Sequence, residues 1–334
     1  MPETVLTDRE AVLEELRGAT RLIAVTHENP DGDALGSLIA MQRILDALGK
    51  DCVMFIAADE FPLPYEYRFL PLDRLVTEPP ADLADRSIVF LDCGNLERNP
   101  ATAFQRPGAH ILNIDHHHDN TRFGTVNLVD SSASCTAEIV WELMRDLDVL
   151  PTPTIAEALY VGLITDTGRF MYENTGPRSH RMAAELIEAG VDVHEIYHRI
   201  YEDVPLGKLS LLARGLSKVE RYDDGRLTLT SISAEDFSES GAEESYTEGV
   251  VDHLRAVQGT LVAALVRDRV PIDGDGGARV RKVSLRAADD RLDVSAIARQ
   301  QGGGGHRQAA GFTTELAPEA LVAFLRDSVA RQLS

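Results

Sequence analysis

The chain has 334 residues, 44% of them hydrophobic, and carries 54 Asp and Glu against 33 Lys and Arg for a formal net charge of −21. That length suits two domains with sizeable cores, and the acidic balance excludes a protein that grips long duplexes through a general basic surface. No charged-then-apolar leader opens the sequence and no apolar run nears the ~20 residues that span a bilayer, so a cytoplasmic protein off the membrane is expected.

Thr7 to Arg17 has the periodicity of a short amphipathic helix, with Thr7 as cap and Glu10 in the capping-box position. Arg21 to Thr26 reads as the first strand. It runs into His27-Glu-Asn-Pro-Asp31-Gly-Asp33, a tight loop punctuated by Pro30 and Gly32. Leu35, Leu38, Ile39, Leu45 and Leu48 then recur at helical spacing until Gly49. Cys52 to Ala57 is the next strand, and the Pro- and aromatic-rich stretch 61–80 reads as irregular. Ser87 to Leu91 is a strand running into Asp92, and Ile111 to Ile114 a strand running into Asp115, His116, His117 and His118. Ser131 to Ser134 offers a cap for a helix carrying Ile139, Val140, Leu143 and Met144. Thr154 opens a helical pattern, and Tyr160 to Thr165 reads as a fourth strand-like run, ending in Asp166. The three cysteines, Cys52, Cys93 and Cys135, form no C-x-x-C pair and read as reduced thiols in or near the core.

This alternation predicts an α/β fold, with a mainly parallel sheet in an N-terminal domain over residues 1–190. Residues 191–218 read as a helical linker after a break at Gly190, and 219–334 as a smaller α/β C-terminal domain. In that domain Leu227 to Ile232 and Val280 to Arg286 are strands, with a further apolar run at Leu261 to Val266. The acidic, Ser-rich stretch 233–248 is expected to be a solvated loop, and a helix over Asp293 to Gln301 ends in the glycine run Gly302 to Gly305 and His306.

In an open parallel sheet the ligand site lies beyond the carboxyl ends of the strands. Four runs that each end in an acid or imidazole would gather His27, Asp31, Asp33, Asp92, Asp115, His116, His117 and Asp166 around one crevice. Singly, an Asp after a strand is most often a turn or helix cap, and His118 is assigned to the surface. Together, crowded carboxylates repel unless a cation or a proton relieves them. The mixed imidazole and carboxylate set suits Mn, Fe, Co or Zn better than calcium, and its oxygen excess favours manganese or magnesium. Two ions about 3.5–4 Å apart that share a carboxylate are the arrangement that hydrolyses phosphate esters. Residues 279–307 hold seven Lys or Arg against three Asp, which reverses the balance of the whole chain. A glycine run ending beside His306 and Arg307 suits an anionic ligand, although a solvated basic strand and a flexible turn would look the same. Arg169 is placed either at phosphate or at the surface. His194-Glu195-x-x-His198 matches the helical zinc-protease pattern, a short pattern that arises by chance. No G-x-S-x-G is present to suggest a serine hydrolase.

His27-x-x-x-Asp31-x-Asp33, Asp92, Asp115-His116-His117 and Asp166-x-Gly168, in this order, resemble the four motifs of the DHH phosphoesterase family. Gly302 to Gly311, with Val283-Ser284-Leu285-Arg286 ahead of it, resembles the glycine-rich histidine motif of that family's DHH-associated substrate domain. The resemblance covers nearly the whole chain. It implies a dinuclear centre in the cleft between the domains, holding two divalent ions, Mn²⁺ first with Mg²⁺ or Co²⁺ as alternatives. His27, Asp31 and Asp92 would hold one ion, and Asp33, Asp92, His116 and Asp166 the other, with Asp92 bridging. Asp115 would orient a histidine, and His117 would serve the phosphate as proton donor to the leaving oxygen or as a transition-state contact. Ser284, Arg286, Gly303, Gly304, Gly305 and His306 would bind substrate.

The family includes RecJ-type exonucleases, type II pyrophosphatases, and NrnA-type oligoribonucleases that also dephosphorylate 3'-phosphoadenosine 5'-phosphate (pAp). The NrnA-type branch fits best: the chain lacks room for the extra RecJ domains, and its glycine-rich histidine motif resembles the nucleotide-binding relatives. The expected activity is hydrolysis of short RNA or DNA from the 3' end and of pAp to AMP and phosphate, by a homodimer. The alternative is a phosphodiesterase for cyclic di-AMP or linear pApA. An idle nucleotide sensor, the contrasting class, would be expected to have lost ligands.

Overall fold

The structure is a computed structural model that describes residues 7–99, 101–106, 108–268, 280–305 and 307–334. The chain divides between Asp203 and Val204 into two compact units. The first contains, in order, α1 (Asp8–Gly18), β1 (Arg21–Val25), α2 (Gly32–Ala47), β2 (Asp51–Phe55), β3 (Leu75–Val76), β4 (Ser87–Leu91), β5 (Ile111–Asp115), β6 (Val126–Val129), α3 (Thr136–Asp146), α4 (Pro153–Asp166), α5 (Pro177–Glu188) and α6 (Val193–Tyr197). Its six strands run in the order β3-β2-β1-β4-β5-β6 and every pair is parallel. Strand order reverses between β1 and β4, which opens a crevice at their carboxyl ends.

β1, β4 and β5 are buried along nearly their whole length because both sheet faces are covered. Leu35, Leu38, Ile44, Val140 and Leu159 belong to the cluster packed with α1 to α5 on one face. Ile23, Val25, Phe55, Phe90 and Phe104 form a second cluster on the other. The capping box foreseen at Thr7 and Glu10 starts α1, with both reciprocal bonds made.

Two expectations are corrected here. Tyr160 to Thr165 is the second half of α4, not a strand. Thr152 caps this helix, accepting from Ile155 N–H at 3.3 Å, and Pro153 occupies its first turn. Leu159 to Ile164 are all buried, so the run is apolar without alternation and its period could not separate helix from strand. Ser131 to Ser134 do not cap α3 either. Its cap residue is Cys135, which makes no side-chain bond, and the first amides of the helix, Thr136 and Ala137, donate to the Asp33 carboxylate at 2.6 and 2.8 Å. Ser134 Oγ instead donates to the buried Glu138.

The stretch 191–218 is divided: α6 and a π-helical turn, His198–Glu202, end the first unit, and α7 (Leu206–Ser217) opens the second. The second unit continues with β7 (Glu220–Tyr222), β8 (Leu227–Ile232), α8 (Ala234–Ser240), α9 (Val250–Arg255), β9 (Val262–Asp268), β10 (Arg281–Ala287), α10 (Val294–Arg299), β11 (Gly304–Gly305), β12 (Ala309–Thr314) and α11 (Pro318–Leu333). Its sheet runs β11-β12-β10-β9-β8-β7, with β8 and β9 parallel and the other pairs antiparallel.

The acidic stretch 233–248 is not a solvated loop. Ser233 and Asp236 form a capping box that starts α8, Asp236 is buried with Lys218 Nζ at 2.5 Å, and Phe237 and Tyr246 enter the interior. Among the described residues no helix is long and apolar enough to cross a membrane.

α2 and α4 approach so closely that a Cβ on Gly36 would lie 2.3 Å from the Ala158 carbonyl oxygen. Gly36→Val is therefore expected to destabilise the first unit by about 2–3 kcal/mol, because the obstructing atom is backbone. An unchanged urea midpoint would contradict the tight helix contact.

Candidate metal centre

Loops beyond β1, β4 and β5 and the last residue of α4 bring the charged residues together. His27 follows β1; its Nδ1 donates to Glu28 O at 2.6 Å, which leaves Nε2 facing Asp92 Oδ2 at 3.5 Å. Asp31 caps α2, one oxygen accepting from Asp33 N–H and Ala34 N–H at 3.1 Å each. Asp33, in the first turn of α2, is buried and reaches across to the amino end of α3, where the helix dipole favours a negative charge.

Asp92 leaves β4 with φ +57°, a left-handed conformation uncommon for a non-glycine residue. Its Oδ1 accepts from Thr136 Oγ1 at 3.0 Å and lies 3.6 Å from both His116 Nε2 and His117 Nδ1. Asp166 Oδ2 is 3.8 Å from His116 Nε2 and accepts from Asn174 Nδ2 at 3.2 Å. Three groups of donor atoms lie within 4.8 Å of one another: His27, Asp31 and Asp92; Asp92, His116 and His117; Asp33, His116 and Asp166. They overlap at Asp92 and at His116.

Asp115 is set back from these groups. One of its oxygens lies 2.7 Å from His117 Nδ1, and the other accepts from Asn120 Nδ2 at 2.6 Å. Asn113, fully buried in β5, donates to Asn120 Oδ1 at 2.9 Å. Asn113, Asn120, Thr136 and Asn174 were not singled out from the sequence. An Asn inside the apolar run Ile111 to Ile114 was the available signal, since a buried amide needs a partner. His118 is exposed and in none of the three groups. His194 and His198 are exposed too and in no such group among the described residues; α6 passes into the π-helical turn at His198.

The electrostatics fit divalent cations. Burial, then the charges of Asp92, Asp166 and Asp31, push the Asp33 carboxyl well above its ordinary range. Burial, with Asp92 and Asp31, pushes Asp166 up to about 7 despite the opposing pull of His116. Burial also opposes ionisation of Asp92, but the hydrogen bond with His27 and the charges of His117 and His116 outweigh it and its pKa falls. For His117, burial favours the neutral ring, yet the Asp115 hydrogen bond and the Asp92 charge raise it to about 9. Carboxyls with raised pKa at the centre of an oxygen-rich donor set sit where hard cations would relieve them.

Of the substrate residues expected in the second unit, Ser284, Arg286 and the glycines lie on or beside neighbouring strands. Ser284 and Arg286 lie on the face of β10 opposite the buried Val283, Leu285 and Ala287. Ser284 pairs with Gly311, which pairs in turn with Gly304. Arg286 Nη1 donates to Leu285 O at 3.1 Å, and its Nε is 3.7 Å from Asp252. A Cβ on Gly303 would lie 2.2 Å from Gly311 O, so that glycine serves the strand contact. Gly305 pairs with Ala310, and His306 lies outside the described residues. Arg169, in the first unit, lies over the Tyr201 ring, 4.9 Å from its centroid.

Residues 21–163 match the DHH family, N-terminal domain, and residues 229–333 the DHHA1 domain. Over 291 residues, 86% of this chain and 82% of the relative, the sequence is 37% identical to the bifunctional oligoribonuclease and PAP phosphatase NrnA of Thermus thermophilus. The chain belongs to the DHH phosphoesterase family. A crystal structure of an exopolyphosphatase-related protein from Bacteroides fragilis shares the fold with a TM-score of 0.86 at 22% identity, covering 99% of this chain and 98% of that one. The RecJ crystal structure with Mn²⁺ from Thermus thermophilus is similar at a TM-score of 0.56 and 17% identity, covering 99% of this chain and 56% of that one. The DHH phosphoesterase described here is accordingly a hydrolase, and its three donor groups could hold divalent metal.

The raised carboxyls give a pH test. Folded Asp33 and Asp166 keep protons that unfolded carboxyls release above about pH 4, so their contribution to metal-free stability is lost as pH rises through the folded pKa, about 7 for Asp166. His117, raised to about 9, loses its contribution over the interval above its ordinary value in the same direction. Divalent cation should therefore raise Tm more at about pH 8 than at about pH 5.5, measured against EDTA. Equal gains at both would contradict a carboxylate site strained by its own charge.

Proposed function

We propose that this phosphoesterase hydrolyses short oligonucleotides from the 3' end and dephosphorylates pAp to AMP and phosphate. The observation that carries the reading is the overlap of donor groups at Asp92 and His116, in a chain whose Thermus thermophilus relative is named for both activities. In this reading His27, Asp31 and Asp92 hold one ion and Asp33, Asp92, His116 and Asp166 the other, with manganese the preferred metal. The ions would neutralise phosphoryl charge and make the attacking water more acidic.

The chain's own groups do the rest. Asp115, fixed by Asn120, holds His117 through Nδ1 and leaves Nε2 to donate a proton to the leaving oxygen. Asp31 and Asp33 are each tied to backbone amides at a helix start, so the donors are arranged before substrate arrives. Ser284, Arg286, Gly303, Gly304, Gly305 and His306 take the substrate's base and phosphate, and Arg169 also reaches phosphate. Cytoplasmic residence, supported by three free and buried thiols, and a homodimer complete the proposal.

The deciding experiment is product release from pAp, linear diadenylate, a short RNA, cyclic di-AMP and pyrophosphate, each with manganese, magnesium or EDTA. Manganese-dependent AMP from the first three is the expected result. Turnover of cyclic di-AMP in preference to them would transfer the assignment to the cyclic-dinucleotide phosphodiesterases, and turnover of pyrophosphate alone would overturn the nucleotide reading. Arg286→Ala should raise KM for pAp roughly tenfold with kcat little changed, as loss of a charged hydrogen bond does; a wild-type KM would remove Arg286 from the substrate surface.

A further inference from the structure

Just beyond Asp92 the chain makes a short helical turn, Leu96–Arg98, capped by Asn95, whose Oδ1 accepts from Arg98 N–H at 3.0 Å. Two hydrogen bonds fasten this turn to the loop after β1. Glu28 N–H donates to Arg98 O at 2.7 Å, and Asn99 Nδ2 donates to Thr26 O at 2.6 Å. The backbone of Arg98 is thus fixed beside His27, at the rim of the crevice between β1 and β4.

The Arg98 side chain is half-buried and forms no hydrogen bond or ion pair among the described residues. The buried Arg86 closes on Asp51 at 2.9 Å and the half-buried Arg178 on Glu142 at 2.8 Å, while the half-buried Arg106 donates to the Leu83 carbonyl at 3.0 Å. Arg98 does neither, although it stands beside the richest concentration of acids in the chain. Those acids bond instead to helix amides, to Thr136 and to Asn174, and lie against the imidazoles. A half-buried guanidinium on a turn fastened beside His27, bonded to none of those acids, is available to an anion from outside. Its planar fork of N–H donors matches two phosphoryl oxygens.

We propose that Arg98 binds the phosphoryl group that is hydrolysed, donating two N–H groups to its non-bridging oxygens beside the metal ligands. This rests on the phosphoesterase reading and adds to it a substrate contact that none of the four motifs contains. Arg98 transfers no proton; it offsets phosphoryl charge on the side of the crevice lined by His27 and holds the phosphorus in register with the ions.

The test uses the full chain loaded with manganese, as wild type, Arg98→Gln and Arg98→Lys. Binding of inorganic phosphate is followed by calorimetry, with kcat and KM for pAp, manganese content and Tm. For Arg98→Gln we expect phosphate binding weakened at least roughly tenfold and kcat/KM lowered about 100-fold, with manganese content and Tm unchanged; Arg98→Lys, which keeps the charge but loses the fork, should fall between. Wild-type phosphate affinity and turnover in metal-loaded Arg98→Gln would overturn the assignment. So would loss of manganese from either variant, which would make Arg98 a support of the metal loop instead. If Arg98→Gln does not fold, Arg98→Lys carries the test: weaker phosphate binding by a folded protein supports the contact, and unchanged binding ends it. A wild type that binds phosphate through Arg98 but releases no product from any nucleotide would keep the contact and overturn the proposed substrate.

Discussion

Carboxylates gathered within 4.8 Å of neighbouring donor atoms repel one another, and the first unit is organised to keep them there. At an effective dielectric near 20, two like charges about 5 Å apart oppose each other by roughly 3 kcal/mol. Several features hold the acids against that force. Asp31 caps α2 and Asp33 reaches the amino end of α3, where backbone amides donate hydrogen bonds to the carboxylates. Asp92 is flanked by His27, His116 and His117, and Asp115 by His117 and Asn120. The residual strain shows in the raised pKa of the Asp33 and Asp166 carboxyls, which bound cations would relieve.

The fold makes this convergence possible. β1, β4 and β5 are neighbours at the middle of a parallel sheet, so the residues that follow them emerge side by side. The reversal of strand order between β1 and β4 leaves their ends uncovered. α4 closes the arrangement from outside the sheet. Its approach to α2 at Gly36 brings Asp166 to His116, and Asn174 then returns to clasp Asp166. The nearly continuous burial of the central strands supplies the rigidity that a preformed set of donors requires.

The sequence was legible where charge interrupted an apolar run. His27, Asp92 and Asp115 to His117 stand at strand ends because a buried strand has no polar positions until it leaves the sheet. Asp166 does end an apolar run, but that run is a helix, and a helix buried nearly all round carries no alternation to betray it. Asp33 shows a second limit. Its spacing in the loop after β1 marked it as a donor, but only the fold reveals that the same carboxylate starts α3, more than a hundred residues later. Asn120 and Thr136 act through partners brought near by folding, so residue type alone does not distinguish them from ordinary turn and helix residues. The stretch 233–248 was misread because its acids dominate composition, while one of them, Asp236, is buried in a capping box beside Lys218. Arg98 becomes notable only when the partners of the other arginines are known.

In the proposed centre two ions would share Asp92. Its most direct test is the number of divalent ions bound per folded chain, by elemental analysis after equilibrium dialysis, for wild type and Asp92→Ala. The account predicts about two ions for wild type and at most about one for Asp92→Ala, with far-ultraviolet circular dichroism unchanged. A wild type that binds fewer than two, or an Asp92→Ala variant that keeps both, would contradict it.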